Sequence, residues 1–432
     1  MLRRLHIRVP SILCLGCSLL VLIIISYVSY NAANPFSTTL SWLNPTTQST
    51  KYQLSPNDTI LLVSAFFPLS HSKHSMGQYK AWLTNFLEPI RTPIYMYTTP
   101  ELAPVIQSLR GSNPYPLTIN TTFSSPLEIP PLEGMGDKYR EMWEWDREHN
   151  RHGPDLYAVW NGKPYFLDEG LRNAIREHGR EYEHAFWIDG GSFREAHRYV
   201  HWPDRERVRE VLDTFKSARA PESEQEEMLF LPIWFPPGGN FREWSEDKGP
   251  VDTEFSEGSF IGGTAASIRW WREIYYSYHN EYLSRGIFVG KDQTLINAIL
   301  LLYPERFGTV WVHDPLTLAN STTGVQMDLE GGRCGSTWYY FEWWLASQSE
   351  REAMKRSWDS SVASGRRWWK ALWLFLGRTE VLKETDSRYD QQGCRMADAL
   401  LIESMLRRED VFGPQWQIPA KTIQGQPIRQ IS

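Results

Sequence analysis

The sequence predicts an α/β fold, a mostly parallel sheet flanked by helices, carried behind an N-terminal membrane-spanning segment. Three observations predict it. Val9 to Thr50 holds no charge and follows Arg3, Arg4 and Arg8. Short, nearly continuous apolar runs such as Thr59 to Phe67 and Ala185 to Ile188 suit strands buried on both faces. Between the first of these runs, apolar residues recur at helical spacing, and strand–helix–strand–helix alternation implies right-handed crossovers in a parallel sheet.

Ile12 to Tyr30, crowded with Leu, Ile and Val, would span ~30 Å as a helix, about one bilayer core. Arginines before it orient the N-terminus to the cytosol and the remainder to the lumen. The expected order is a cytosolic tail at 1–10, a signal anchor at 11–30, a luminal stem at 31–57, a catalytic domain at 58–330 and a C-terminal helical extension at 331–432. A cleaved signal peptide is the alternative, but the run is long for one and Tyr30-Asn31-Ala32-Ala33 is a poor cleavage site. Acceptor sequons at Asn57, Asn120 and Asn320 suit a luminal chain. Cys14 and Cys17 lie in the apolar span, leaving Cys334 and Cys394 as a pair an oxidising lumen could bridge, or as two free thiols.

A net charge of −6 argues against a nucleic-acid binder. Twenty tryptophans make the luminal part rich in rings that can pack as core or stack on sugars.

After the strand at Thr59 to Phe67, Tyr79, Trp82, Leu83, Phe86 and Leu87 mark a helix ending before Pro89. Pro93 to Thr98 reads as a strand and Glu101 to Arg110 as a helix. Pro126 to Pro131 is a turn region, followed by helices near Asp137 to Asn150 and Leu167 to His178, then the strand Ala185 to Ile188. Ser217 to Glu227 is an acidic connector, Met228 to Phe235 a strand, and Pro236 to Thr253 a polar, glycine-rich segment long enough for a mobile lid. Phe260 to Gly263 closes another strand. Ile268, Trp271, Tyr275, Tyr278 and Tyr282 form one helical face, Asp292 to Leu302 a buried helix, and Thr309 to Val312 a last strand. The basic, Trp-rich segment with Trp368, Trp369 and Trp373 reads as a C-terminal helix packed on the domain, with a membrane-surface helix as the alternative.

Ligands of open α/β sheets bind at the carboxyl ends of strands, so the residue after each strand is the place to look for chemistry. Asp189 follows such a strand and precedes Gly190 and Gly191; its carboxylate can hold a divalent cation, and the glycines let a diphosphate approach the backbone. Gly262 and Gly263 allow a similar approach of a ligand or of neighbouring backbone. Asp292 and Gln293 open a helix that reaches Asn297, with Lys291 in front, a set able to cap a helix or to orient sugar hydroxyls. His313 follows the last strand and is a candidate further metal ligand.

Val63 to Phe67, Trp82-Leu83, Phe186 to Gly191 with Arg194, Phe260 to Gly263 and Lys291-Asp292-Gln293 occur in the order of the HtrL/YibB family, which the chain resembles from about Thr59 to Asp314. That family is regarded as glycosyltransferase-like, and the wider similarity is to GT-A nucleotide-sugar transferases. The resemblance implies a GT-A-like sheet, mostly parallel but mixed, and an Asp-x-Asp motif binding a manganese–nucleotide complex. Several retaining members share an Asp-Gln-x-x-x-Asn helix start and a late His, as at Asp292, Gln293, Asn297 and His313. Here Gly191 stands where the second Asp would be, so Glu195 or His197 substitutes, metal binding is weaker, or no metal is used.

The expected function is therefore a type II membrane glycosyltransferase of the Golgi or endoplasmic reticulum. It would take a nucleotide-sugar donor and a glycan or glycoprotein acceptor, with a divalent cation, manganese, at Asp189 and His313. Arg194 or Lys291 would assist the departing diphosphate, and Asp292 would be the base if configuration inverts or, with Gln293, a sugar clamp if it is retained. The rival expectations are a non-catalytic carbohydrate-binding protein and a glycoside hydrolase drawing paired carboxylates from Glu169, Glu257 and Asp292.

Overall fold

The computed structural model describes residues 58–218, 228–311, 314, 338–358, 360, 399–423 and 425. The expected tail, anchor and stem, with Asn57, Asn320, His313, Cys334, Cys394 and the Trp368 to Trp373 segment, lie outside the described residues. Among the described residues no helix is long and apolar enough to cross a membrane.

Among the described residues eight strands form one sheet: β1 (Ile60–Phe66), β2 (Ile94–Thr98), β3 (Leu117–Asn120), β4 (His184–Ile188), β5 (Leu229–Phe230), β6 (Phe260–Gly263), β7 (Phe307–Thr309) and β8 (Leu400–Leu401). Their order across the sheet is β3-β2-β1-β4-β6-β5-β7-β8. β1 to β4 run parallel, β6 is antiparallel to both β4 and β5, and β8 is antiparallel to β7. This mixed sheet with helices on both faces fits the GT-A-like expectation.

Alternation along the strands explains the two layers. Leu61, Val63 and Ala65 of β1, Tyr95 and Tyr97 of β2 and Trp187 of β4 face one core. Helices α4 (Pro154–His178), α6 (Ala265–Ser284) and α7 (Asp292–Leu302) cover that core. Ile60, Leu62, Ile94, Met96, Phe186 and Ile188 face the other, beneath α1 (Met76–Leu87), α2 (Ala103–Arg110) and α5 (Arg205–Ser217). Continuous apolar runs were the right sign because neither face meets water. The Ile268, Trp271, Tyr275, Tyr278 and Tyr282 stripe of α6 is buried as its spacing predicts. Ser75 and Gln78 start α1 with a reciprocal capping box.

Several expectations shift. Helix α3 (Gly136–Glu144) stops well short of Asn150, and α4 begins at Pro154 instead of Leu167. Gly162 and Pro164 look like breakers, and Pro164 has no N–H for the Trp160 carbonyl. Neighbouring elements hold the helix together there: Asn161 donates to Val289 O at 3.0 Å, and Tyr276 donates to Asn161 O at 2.8 Å. The β5 ladder ends before Pro232, after which Ile233 makes only isolated bridges to Ser256 and Trp311. β7 lies two residues earlier than predicted, and β3 and β8 were not foreseen.

The Pro236 to Thr253 segment is not a free lid. Trp244, Glu246 and Val251 are buried within it. Tyr278 donates to Glu246 Oε1 at 2.6 Å, Tyr282 to Glu246 O at 2.8 Å, and Thr422 N to Glu246 Oε2 at 2.8 Å.

Candidate active site

The strand order turns between β1 and β4: β2 and β3 lie on one side of β1, and β4 to β8 lie on the other. A crevice opens at the carboxyl ends of two strands at such a point. Phe66 and Phe67 close β1 there, and Asp189 follows β4. The Asp189 N–H donates to Ser259 O at 2.9 Å, and its Oδ1 accepts the Trp187 indole N–H at 2.7 Å. About a third of its side chain (34 %) stays open to the cleft.

Lys163 supplies what the sequence reading missed. From the middle of α4 its ammonium lies 3.1 Å from Asp189 Oδ1 and 2.8 Å from Asp292 Oδ2, and donates to Gly258 O at 2.8 Å. Burial pulls its pKa down, but Asp189 and Asp292 outweigh burial and hold the ammonium above its ordinary value. Burial pushes Asp189 up, Lys163 draws it back and Asp292 raises it again, leaving it above the usual carboxylate value. Glu257 is the other buried acid nearby. Burial pushes it up to about 8, while the Ser259 hydroxyl, donating at 2.6 Å, offsets only part of that rise.

Two cavities meet here and share Trp160, Asp189 and Tyr339. The larger, about 530 Å³, runs past Phe66, Phe67, Gly190 and Gly191 and is flanked by Lys73, Arg151 and Arg194. The smaller, about 310 Å³, holds Lys163, Glu257, Lys291, Asp292 and Gln293.

The structure thus gathers Asp189, Gly190, Gly191, Arg194, Lys291, Asp292 and Gln293 around one cleft. The Arg194 guanidinium sits over Trp82, 4.1 Å from the ring centroid, and donates to Gly191 O at 3.1 Å. Gly190 and Gly191 also seat against α1: a β-carbon would come within 3.2 Å of Leu83 and 3.3 Å of Trp82. Lys291 is ion-paired with Glu148. Asp292 Oδ1 accepts the Gln293 N–H at 2.9 Å, and Gln293 donates its amide to Ser256 O at 2.8 Å.

Three expected ligand contacts are structural instead. Asn297 is fully buried; its amide donates to Val251 O and Thr253 O and accepts from Ser256 N, so it pins that loop and does not reach a sugar. Gly262 pairs with Phe186 in the sheet, where a β-carbon would stand 2.1 Å from Ala185 O. At Gly263 it would stand 2.5 Å from Ser267 Oγ. Their bareness serves close backbone packing. His197 is no substitute ligand: its Nε2 meets Asn85 O at 2.8 Å, its Nδ1 accepts Tyr199 N–H at 3.1 Å, and burial takes its pKa down to about 4. Glu195 is exposed. Glu169 pairs with Arg172 at 2.8 Å and lines neither cavity. The Asn120 amide donates to the Tyr95 hydroxyl at 3.0 Å, a bond a glycan there would have to break. Among the described residues no three His, Cys, Asp or Glu side chains gather to hold a metal ion.

No family model and no curated protein matches the chain. Solved structures similar in fold at low identity include two glycosyltransferases. Mouse xyloside xylosyltransferase 1, in its apo form, is 12 % identical over 57 % of this chain and 83 % of its own, with a TM-score of 0.33. Core-mannan synthase A of Aspergillus fumigatus, in a form with manganese and GDP, is 11 % identical over 60 % of this chain and 74 % of its own, with a TM-score of 0.36.

Proposed function

We propose that the chain is a type II membrane glycosyltransferase of the Golgi or endoplasmic reticulum, moving a sugar from a nucleotide donor to a glycan or glycoprotein with retention of configuration. One observation carries the reading: Asp189 stands at the sheet's switch point where two cavities meet, one ringed by aromatic and cationic groups and the other rich in carboxylates. The nucleoside diphosphate belongs in the first and the sugar in the second. The C1–O bond to the diphosphate breaks with its electron pair leaving on phosphate oxygen. The acceptor oxygen bonds C1, and the acceptor proton passes to the leaving phosphate. Asp292 is a poor base for inversion, because one oxygen faces Lys163 and the other the Gln293 N–H.

Kinship with the HtrL/YibB proteins rests on the ordered residues from Val63 to Gln293. The manganese expected at Asp189 and His313 finds a poor donor set among the described residues, since Asp189 already faces an ammonium and His313 lies outside them.

The test is to express the full chain in a secretory host and follow nucleoside diphosphate release from UDP- and GDP-sugars with and without glycan acceptors. Acceptor-dependent release, lost in Asp189→Ala, is the expected result. Sugar release from a glycan without any nucleotide would make it a hydrolase. Binding without turnover would make it a carbohydrate-binding protein.

A further inference from the structure

A buried ammonium is costly unless paired, and one carboxylate is enough to pair it. Lys163, 5 % exposed, has two, and the backbone carbonyl of Gly258 besides. The two acids of this cleft that could share a small cation therefore already share one, delivered on a side chain from α4. Beside them, the larger cavity carries Lys73 and Arg194 among its walls, with Arg151 already paired to Glu148 at 2.9 Å, and Asp189 is the one carboxylate among its lining residues. Arg194, though exposed, is held over Trp82 and Tyr339 and donates to Gly191 O, which orients its charge toward the cavity wall it lines.

We infer that this site binds nucleoside diphosphates without a divalent cation: Lys163 fills the position between Asp189 and Asp292, and Lys73 and Arg194 neutralise the diphosphate. The inference rests on the transferase reading and goes beyond it. It also has a converse. Deleting the ammonium leaves two uncompensated carboxylates within the span of one cation, so Lys163→Met should acquire a metal site that the natural protein lacks.

The experiment is calorimetric titration of the full chain with UDP and with GDP, once in EDTA and once in manganese, with electron paramagnetic resonance of manganese alongside. The wild type is expected to bind one of the two nucleotides with affinities within about twofold in both buffers, and Arg194→Gln to weaken that binding about tenfold. The free-manganese signal should be unchanged by wild-type protein and reduced by Lys163→Met. Wild-type binding that requires manganese would overturn the inference and leave the transferase reading standing. No binding of either nucleotide in either buffer would overturn both. If Lys163→Met does not fold, the wild-type comparison decides alone.

Discussion

The indole N–H of Trp187 meets Oδ1 of Asp189 at 2.7 Å, two residues apart on the same face of the chain as it leaves β4. The buried strand thus positions the carboxylate it ends on. Trp187 is itself wedged against Phe166, ring centroids 6.2 Å apart. Trp187→Phe keeps an aromatic ring in the core but removes the N–H donor together with part of the indole volume. It should cost at least about 2 kcal/mol of stability, the scale of a hydrogen bond to a charged group plus the packing lost with the smaller ring, and weaken nucleotide binding. Urea denaturation and nucleotide titration of one preparation check both; unchanged binding would make Trp187 core alone.

Glu257 sets a pH dependence. Its folded pKa, about 8, lies above the ordinary 4.5, so the folded protein keeps a proton that the unfolded chain loses. Its contribution to stability is whole below about 4.5 and declines as pH rises to about 8. Glu257→Gln should flatten that decline, so the variant gains on the wild type between pH 5 and pH 8.5. Denaturant melts at the two values measure it, and parallel losses in both proteins would contradict the assignment.

Glu246 titrates the other way. Burial raises its pKa, but hydrogen bonds from Thr422, Tyr278 and Ile423 prevail and hold it below 4.5. Its contribution is present above 4.5 and lost as pH falls through the lower folded value. Glu246→Ala should cost about 3 kcal/mol at pH 7, since Tyr278 and the Thr422 backbone lose a buried partner together. The gap to wild type should narrow at pH 3.5, and a gap equal at both pH values would exclude this role.

Gly262→Ala separates a structural glycine from a ligand-facing one. Its new methyl would meet the Ala185 carbonyl inside the sheet, where neither strand can yield cheaply. A loss of more than about 4 kcal/mol, or failure to fold, is expected. A folded variant that merely loses nucleotide affinity would restore the ligand role.

The sheet was legible where burial on both faces left one kind of pattern, as at β1 and β4. Asp189 was legible for the same reason: a polar residue directly after such a run has one place to go. Lys163 was not, because Asn161-Gly162-Lys163-Pro164 carries turn chemistry that tertiary contacts override. The signal that could have found it was Tyr157, Ala158 and Asn161 leading into Phe166 at helical spacing. Asn297 shows the opposite failure. A helix presents an amide one turn after its start with the same spacing whether that amide meets a sugar or a buried loop, and only the fold of 251–256 tells them apart.

β8 also bears on how the molecule is made. During synthesis β1 leaves the ribosome early, whereas Leu400 and Leu401, which close the outer edge of β7, and Thr422, which binds Glu246, emerge long afterwards. A nascent chain that has reached Asp314 but not Leu400 carries an open strand edge and a buried acid lacking part of its hydrogen bonding. A chain stopped before Leu400 is therefore expected to lack both the strand that closes the edge of β7 and the Thr422 contacts to Glu246.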